Sequence, residues 1–126
     1  MREYLFRGIG NNNIKIWRFG DLRIYKGNKA SIWENDTGYG IDPKTVGQFT
    51  GFLDKNGMKI FEGDIIKYND TKRFETIAKV GFKKGTFTSK VINLRIPSHP
   101  LLLVCQNCPE MEVIGNIYDN PELLEE

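Results

Sequence analysis

Residues 48–68, QFTGFLDKNGMKIFEGDIIKY, constrain this chain more than any other stretch. Two short apolar runs, residues 49–53 and 58–61, flank Asp54-Lys55-Asn56-Gly57. Asn and Gly tolerate the positive φ that a tight hairpin demands. Asn-Gly between apolar runs therefore predicts a β-hairpin, closed by a primed turn or a Gly bulge. Glu62-Gly63-Asp64 turns the chain again before Ile65-Ile66-Lys67-Tyr68. Segments this short, separated by residues that favour turns, leave no room for a helix.

The same grammar runs along the rest of the chain. Tyr4-Leu5-Phe6-Arg7-Gly8 reads as a first strand and Asn11-Asn12-Asn13 as a turn, since Asn accepts left-handed geometry. Residues 14–19 read as a strand, Gly20-Asp21 as a turn, and residues 22–25 as a continuation. Gly27-Asn28 turns the chain before a strand at residues 31–34, and residues 35–40 read as a polar loop. Asp42-Pro43 predicts one helical turn, with Asp42 as N-cap and Pro43 at the first helical position. Residues 77–82 and 85–88 read as strands about a Lys83-Lys84-Gly85 turn. The apolar run at residues 101–105 reads as a buried strand, and residues 112–118 as a closing strand. Asn120-Pro121 opens a short C-terminal helix. The fold class is mostly β, with α+β character at its margins. Residues 1–47 form an antiparallel N-terminal meander and residues 48–126 the remainder of a single domain.

The segment Thr45-Val46-Gly47-Gln48-Phe49-Thr50-Gly51-Phe52-Leu53-Asp54-Lys55-Asn56-Gly57, with Ile60-Phe61-Glu62-Gly63-Asp64-Ile65-Ile66 after it, resembles the core signature of the YopX family. The run Glu112-Val113-Ile114-Gly115-Asn116-Ile117-Tyr118-Asp119-Asn120-Pro121-Glu122-Leu123-Leu124 is similar to the same family's ending, and Met1-Arg2-Glu3-Tyr4-Leu5-Phe6-Arg7 to its start. The resemblance implies a small β-rich protein encoded by phages and prophages of Gram-positive bacteria. It implies no established activity and no catalytic residues. Separately, Glu62-Gly63-Asp64-Ile65-Ile66 resembles the strand entry of SH3-like barrels, so residues 48–126 are expected to form a small, partly open barrel of that kind.

Residues 67–95 hold eight basic and two acidic residues, whereas residues 110–126 hold six acidic and no basic ones. Such asymmetry marks Lys67, Lys72, Arg73, Lys79, Lys83 and Lys84 as a candidate nucleic-acid or partner surface. Lys on the wet face of strands is also routine edge protection. Lysines are point charges suited to phosphate, and no groove-entering helix is evident between Lys67 and Arg95. Any nucleic-acid binding is therefore expected to be weak and sequence-independent. Trp17, Arg18, Phe19 and Arg23, or Tyr68, Lys72, Arg73 and Phe74, are sets that could stack bases, although most aromatics of a small β protein belong to its core.

Cys105-Gln106-Asn107-Cys108 is the one chemically loaded motif. With His99 it supplies three ligands, one short of a closed zinc site, so no metal and no cofactor is expected. The plainer reading of the pair is two partly buried structural thiols. His99, the only histidine, has no evident triad partners. Asp54, Glu62 and Asp64 lack EF-hand spacing and read as turn carboxylates. No apolar run approaches membrane-spanning length, and no signal-peptide core opens the chain. The expectation is a non-enzymatic cytoplasmic module. Its partners would be a second copy of itself and an unknown phage or host protein, with no membrane.

Overall fold

The computed structural model describes residues 3–12, 15–70, 74–92 and 94–125. The chain divides after Phe49 into two compact units. Strands dominate both, and they pair throughout in antiparallel fashion, as expected from the sequence.

The first unit is a meander. Strands β1 (Phe6–Ile9), β2 (Trp17–Tyr25), β3 (Lys29–Glu34) and β4 (Thr37–Ile41) lie in the order β4-β3-β2-β1. The start of β5 (Gly47–Leu53) pairs with β1, Phe6 opposite Gln48. Gly27 and Asn28 turn β2 into β3 with φ of 79° and 59°. Ile32, Ile41 and Ala30 are its buried centre, with Phe6, Leu22 and Val46 against them. The expected turn at Pro43–Thr45 is present as a 3-10 turn. Asp42 caps it, its side chain accepting from the Lys44 amide at 3.0 Å.

Two readings of this unit need correction. Gly20-Asp21 is not a turn, because β2 runs straight through it. A Cβ at residue 20 would collide with the Trp33 carbonyl, so glycine serves there for close strand approach. Residues 37–41 are a strand, not part of a loop. A two-residue connection, Asn35-Asp36, closes β3 onto β4, with Asn35 at φ 57°. Of the expected Asn11-Asn12-Asn13 turn and 14–19 strand, Asn13 and Ile14 lie outside the described residues.

The second unit holds the rest of β5, paired with β6 (Lys59–Phe61), and a five-stranded sheet. That sheet has the order β10-β9-β8-β7-β11, from β7 (Asp64–Asn69), β8 (Glu75–Lys83), β9 (Thr86–Val91), β10 (His99–Pro100) and β11 (Glu112–Asn116). A seven-residue helix, α1 (Leu101–Asn107), follows β10. The sheets do not close into a barrel. The expected mostly β fold is present, its sheets staying open where a small, partly open SH3-like barrel was expected, and α1 follows the edge strand β10. The apolar run read as a strand is this helix, so β10 retains only two residues. An apolar run of five does not distinguish a strand from a helical turn by periodicity. Leu101 and Val104 lie three apart and both are buried, whereas Leu102 and Leu103 are 47% exposed, which is helical and not strand alternation. The core of this unit gathers Ile60, Ile66, Tyr68, Ala78, Val80, Leu101, Val104, Cys108 and Met111.

The Asn56-Gly57 hairpin takes the Gly-bulge form. The Gly57 amide bonds Asp54 O at 3.0 Å, Gly57 has φ 78°, and the Asp54 amide bonds Met58 O at 2.9 Å. The Asp54 side chain is buried at the centre of this turn. Its Oδ1 accepts from the Asn56 and Met58 amides, both at 2.9 Å, and its Oδ2 from Val113 of β11 at 3.0 Å. Burial alone would raise the carboxyl pKa. The Val113, Met58 and Asn56 amides, with the Lys55 charge, bring it below the ordinary value.

The C-terminal turn is tied in the same manner. Asn116 Oδ1 accepts from the Tyr118 and Asp119 amides at 3.0 and 2.9 Å. Asn120 Oδ1 accepts from the Asn116 amide at 3.1 Å. The expected short helix is a 3-10 turn at Pro121–Leu124, and Asn120 spends its side chain on β11 instead of capping that turn. Gly115 gives Asn120 its place, since a Cβ there would overlap the Asn120 side chain.

Asp54→Ala is expected to lower unfolding free energy by about 3 kcal/mol, because three amides lose a charged acceptor. The urea midpoint checks it. A depressed carboxyl stabilises above its unfolded pKa of ~4, and that contribution is lost as pH falls through the lower folded value. The stability gap between the wild type and Asp54→Asn should therefore narrow below about pH 4. Gly115→Ala should cost about 1–3 kcal/mol by overpacking. The double variant with Asn120→Ala should recover part of that loss, read as non-additivity in thermal unfolding.

Candidate functional site

The basic stretch is built on β7, β8 and β9. β8 is their middle strand, and strict alternation sorts its two faces. Ala78 and Val80 are buried in the core, whereas Lys79 between them is exposed. β8 turns into β9 through Lys84-Gly85, both at positive φ (51° and 81°), the signature of a primed two-residue hairpin. This register sets Lys79 directly opposite Lys90, with Ile65 opposite Lys79 on the other side.

The six candidate residues have different fates. Lys67 Nζ lies 3.5 Å from Glu112 Oε1, and that carboxylate also meets Lys55 at 3.6 Å, so Lys67 is committed to an internal ion pair. Lys72 and Arg73 lie outside the described residues. Lys83 and Lys84 stand exposed at the hairpin tip. Lys79 lines a cavity of about 410 Å³. Its other walls are Lys90 and Arg95, with the apolar Val91, Ile92, Leu94 and Leu124. Lys90 and Arg95 belong to the charged stretch but were not singled out from the sequence. The Lys84-Gly85 turn was the signal that would have set residue 90 across from 79. Lys90 Nζ also donates to the carbonyls of Leu94 and Ile96, which folds the segment after β9 back over it.

A second hollow, a groove of about 430 Å³, lies on the α1 side of that segment. Tyr68, Thr76, Val91 and Val104 line it, together with Leu94, Ile96, Leu103, His99, Asp70, Asn107 and Cys108. Burial raises the Tyr68 phenol pKa, against a smaller opposite pull from Ser89. Ser89 Oγ is nonetheless fully buried and makes no hydrogen bond of its own.

Both cysteines are free thiols. Cys105 lies in the last turn of α1 and Cys108 at its C-terminal cap, so the motif ends a helix and does not open one. That is the wrong end for a reactive thiol, since the carbonyl end of a helix disfavours a thiolate. Burial, then the neighbouring Cys108, pushes the Cys105 thiol up to about 11. Burial, then Glu110 and Asp70, raises Cys108, whose Sγ donates to Asn69 O at 3.4 Å. Among the described residues, no group of three or more His, Cys, Asp or Glu could hold a metal ion. No helix among them is long and apolar enough to cross a membrane.

The aromatic sets are largely occupied within the fold. Arg7 stacks over Trp17 at 4.5 Å, Arg18 over Tyr39 at 3.7 Å and Arg23 over Trp33 at 4.1 Å. Arg18 also pairs with Glu34 at 3.3 Å. Tyr68 is a core residue, which leaves Phe74 exposed from the second set.

The family model described as YopX protein matches residues 5–125. The chain belongs to the YopX family. Its fold is similar to the crystal structure of protein EF1440 from Enterococcus faecalis, with a TM-score of 0.54 and 24% identity over 99% of this chain and 100% of that one. At that identity the likeness concerns the fold alone. No curated protein matches the chain. The matched span includes the Asp54 turn and the Gly115–Asn120 closure, which tie strands together.

Alkylation of Cys105 by iodoacetamide should be slow at pH 8 and rise about tenfold per pH unit, because only the thiolate reacts. The inflection should fall near pH 11. A plateau near pH 7 in the rate profile would show an activated thiol instead.

Proposed function

We propose that this YopX-family protein is a non-enzymatic interaction module. In this reading it is a phage or prophage accessory protein that self-associates in the host bacterial cytoplasm and docks a phage or host protein. The observation that carries the reading is the groove beside α1. Leu94 and Leu103 are 55% and 47% exposed on its walls, and Ile96 contributes a third apolar side chain. Clustered half-exposed aliphatic side chains around a concave surface are what a docking partner buries. The raised thiols support a non-enzymatic role, since a poorly ionised cysteine is a poor nucleophile.

A second reading, weak and sequence-independent nucleic-acid binding, is favoured by Lys79, Lys83, Lys84 and Arg95, none of which has an ion-pair partner among the described residues. Its mark is salt dependence, because phosphate contacts release counterions.

Light scattering over a wide concentration range tests the first reading. The expected result is a concentration-dependent rise above the monomer mass of 14.5 kDa. Leu103→Asp should weaken it by roughly tenfold or more, while leaving the thermal transition in place because that side chain is half exposed. A monomer mass throughout removes self-association. A complex with duplex DNA that survives physiological salt and discriminates sequences would place nucleic-acid recognition first.

A further inference from the structure

We propose that the cavity between Lys79, Lys90 and Arg95 is a binding site for a phosphate-class oxyanion. The inference stands apart from the interaction-module reading, because it rests on a different hollow and on charge instead of apolar exposure.

The argument begins with register. Lys79 on β8 and Lys90 on β9 are direct cross-strand partners. Like charges directly opposite one another destabilise a strand pair, so nothing in sheet formation rewards this arrangement. A third cation, Arg95, lines the same hollow of about 410 Å³. Among the described residues no acidic side chain lines it. Neither Lys79 nor Arg95 has an ion-pair partner there. By contrast, Lys67 on the same sheet is matched to Glu112. Compensation is therefore available to this sheet and is missing at the cavity.

The donors are also prepared. Lys90 gives two of its three N–H bonds to the carbonyls of Leu94 and Ile96, which holds its ammonium in place and leaves one donor over. Arg95, in the segment those carbonyls fold back, brings a planar fork suited to two oxygens of one anion. Three positive charges suit a doubly charged phosphate better than a singly charged carboxylate. Leu94 and Leu124 make the flanking wall apolar, so the three cations are the charged groups an entering anion meets there.

The test is an amide NMR titration of the full chain with inorganic phosphate. The expected result is one saturable set of shifts centred on residues 79, 90 and 95. Lys79→Gln should weaken binding roughly tenfold or more, because a charged hydrogen bond is lost. Lys26→Gln, at the exposed turn between β2 and β3 of the first unit, should leave it unchanged. If Lys79→Gln does not fold, Arg95→Gln provides the same comparison, since Arg95 is exposed and lies outside the strands. Two further titrations identify the source of the phosphate. A nucleoside monophosphate that binds more tightly than phosphate, with an oligonucleotide no tighter per phosphate, indicates a small metabolite. The reverse order indicates a nucleic-acid phosphate. The proposal is overturned if the shifts do not saturate, or if Lys26→Gln weakens binding as much as Lys79→Gln.

Discussion

The carboxylate of Asp54 joins three pieces of backbone that are far apart in sequence. It closes its own turn through Asn56 and Met58, and it reaches Val113 of β11 across a separation of 59 residues. The Lys55 amide adds a bond to Met111 O, and Glu112 places its charge between Lys55 and Lys67. One local turn thus fixes where the edge strand of the five-stranded sheet docks. A buried carboxylate is stable only when its lone pairs are met, so its partners must be held at a fixed distance. The remainder of the second unit inherits its register from that requirement. β11 bulges at Ile114, between Val113 paired with Ile66 and Gly115 paired with Ile65, and then enters the Asn116–Asn120 closure.

This dependence explains why parts of the fold could be read from the sequence and others could not. The Asp54–Gly57 turn, the Asp42 cap and the Lys84-Gly85 hairpin are local. Each rests on the φ preference or side-chain reach of a few consecutive residues. Gly20 misled because glycine has two uses, bending a chain and letting another backbone approach, and only the partner strand shows which applies. Leu101–Asn107 misled because five apolar residues satisfy a buried strand and a short helix equally well.

The site shows the same division. Lys79 was legible as one cation among several. What distinguishes it is the residue opposite, and pairing across a sheet is a non-local fact unless the hairpin is taken as a ruler. Lys67 belongs to the same charged run, yet Glu112 neutralises it from a strand that lies far along the chain. Charge counted along the sequence therefore overstated one residue and overlooked two. Ligand counting could show that the cysteine pair and His99 fall one short of a closed zinc site, but the position of the thiols at the carbonyl end of α1 required the helix to be known.

The two hollows of the second unit are physically connected. Val91 and Leu94 line both, and the segment between the hollows is held by Lys90 through the Leu94 and Ile96 carbonyls. An anion that takes the remaining Lys90 donor adds a third acceptor to an ammonium that already holds those two carbonyls. Should filling the proposed anion site shift those carbonyls, the position of Leu94 and Ile96, and so the shape of the apolar groove, would shift with them. Linkage makes such an effect reciprocal: a partner seated against Leu94 and Ile96 changes anion affinity by the same factor that the anion changes the partner's. In that proposal one lysine joins a charged surface to an apolar one within a few residues.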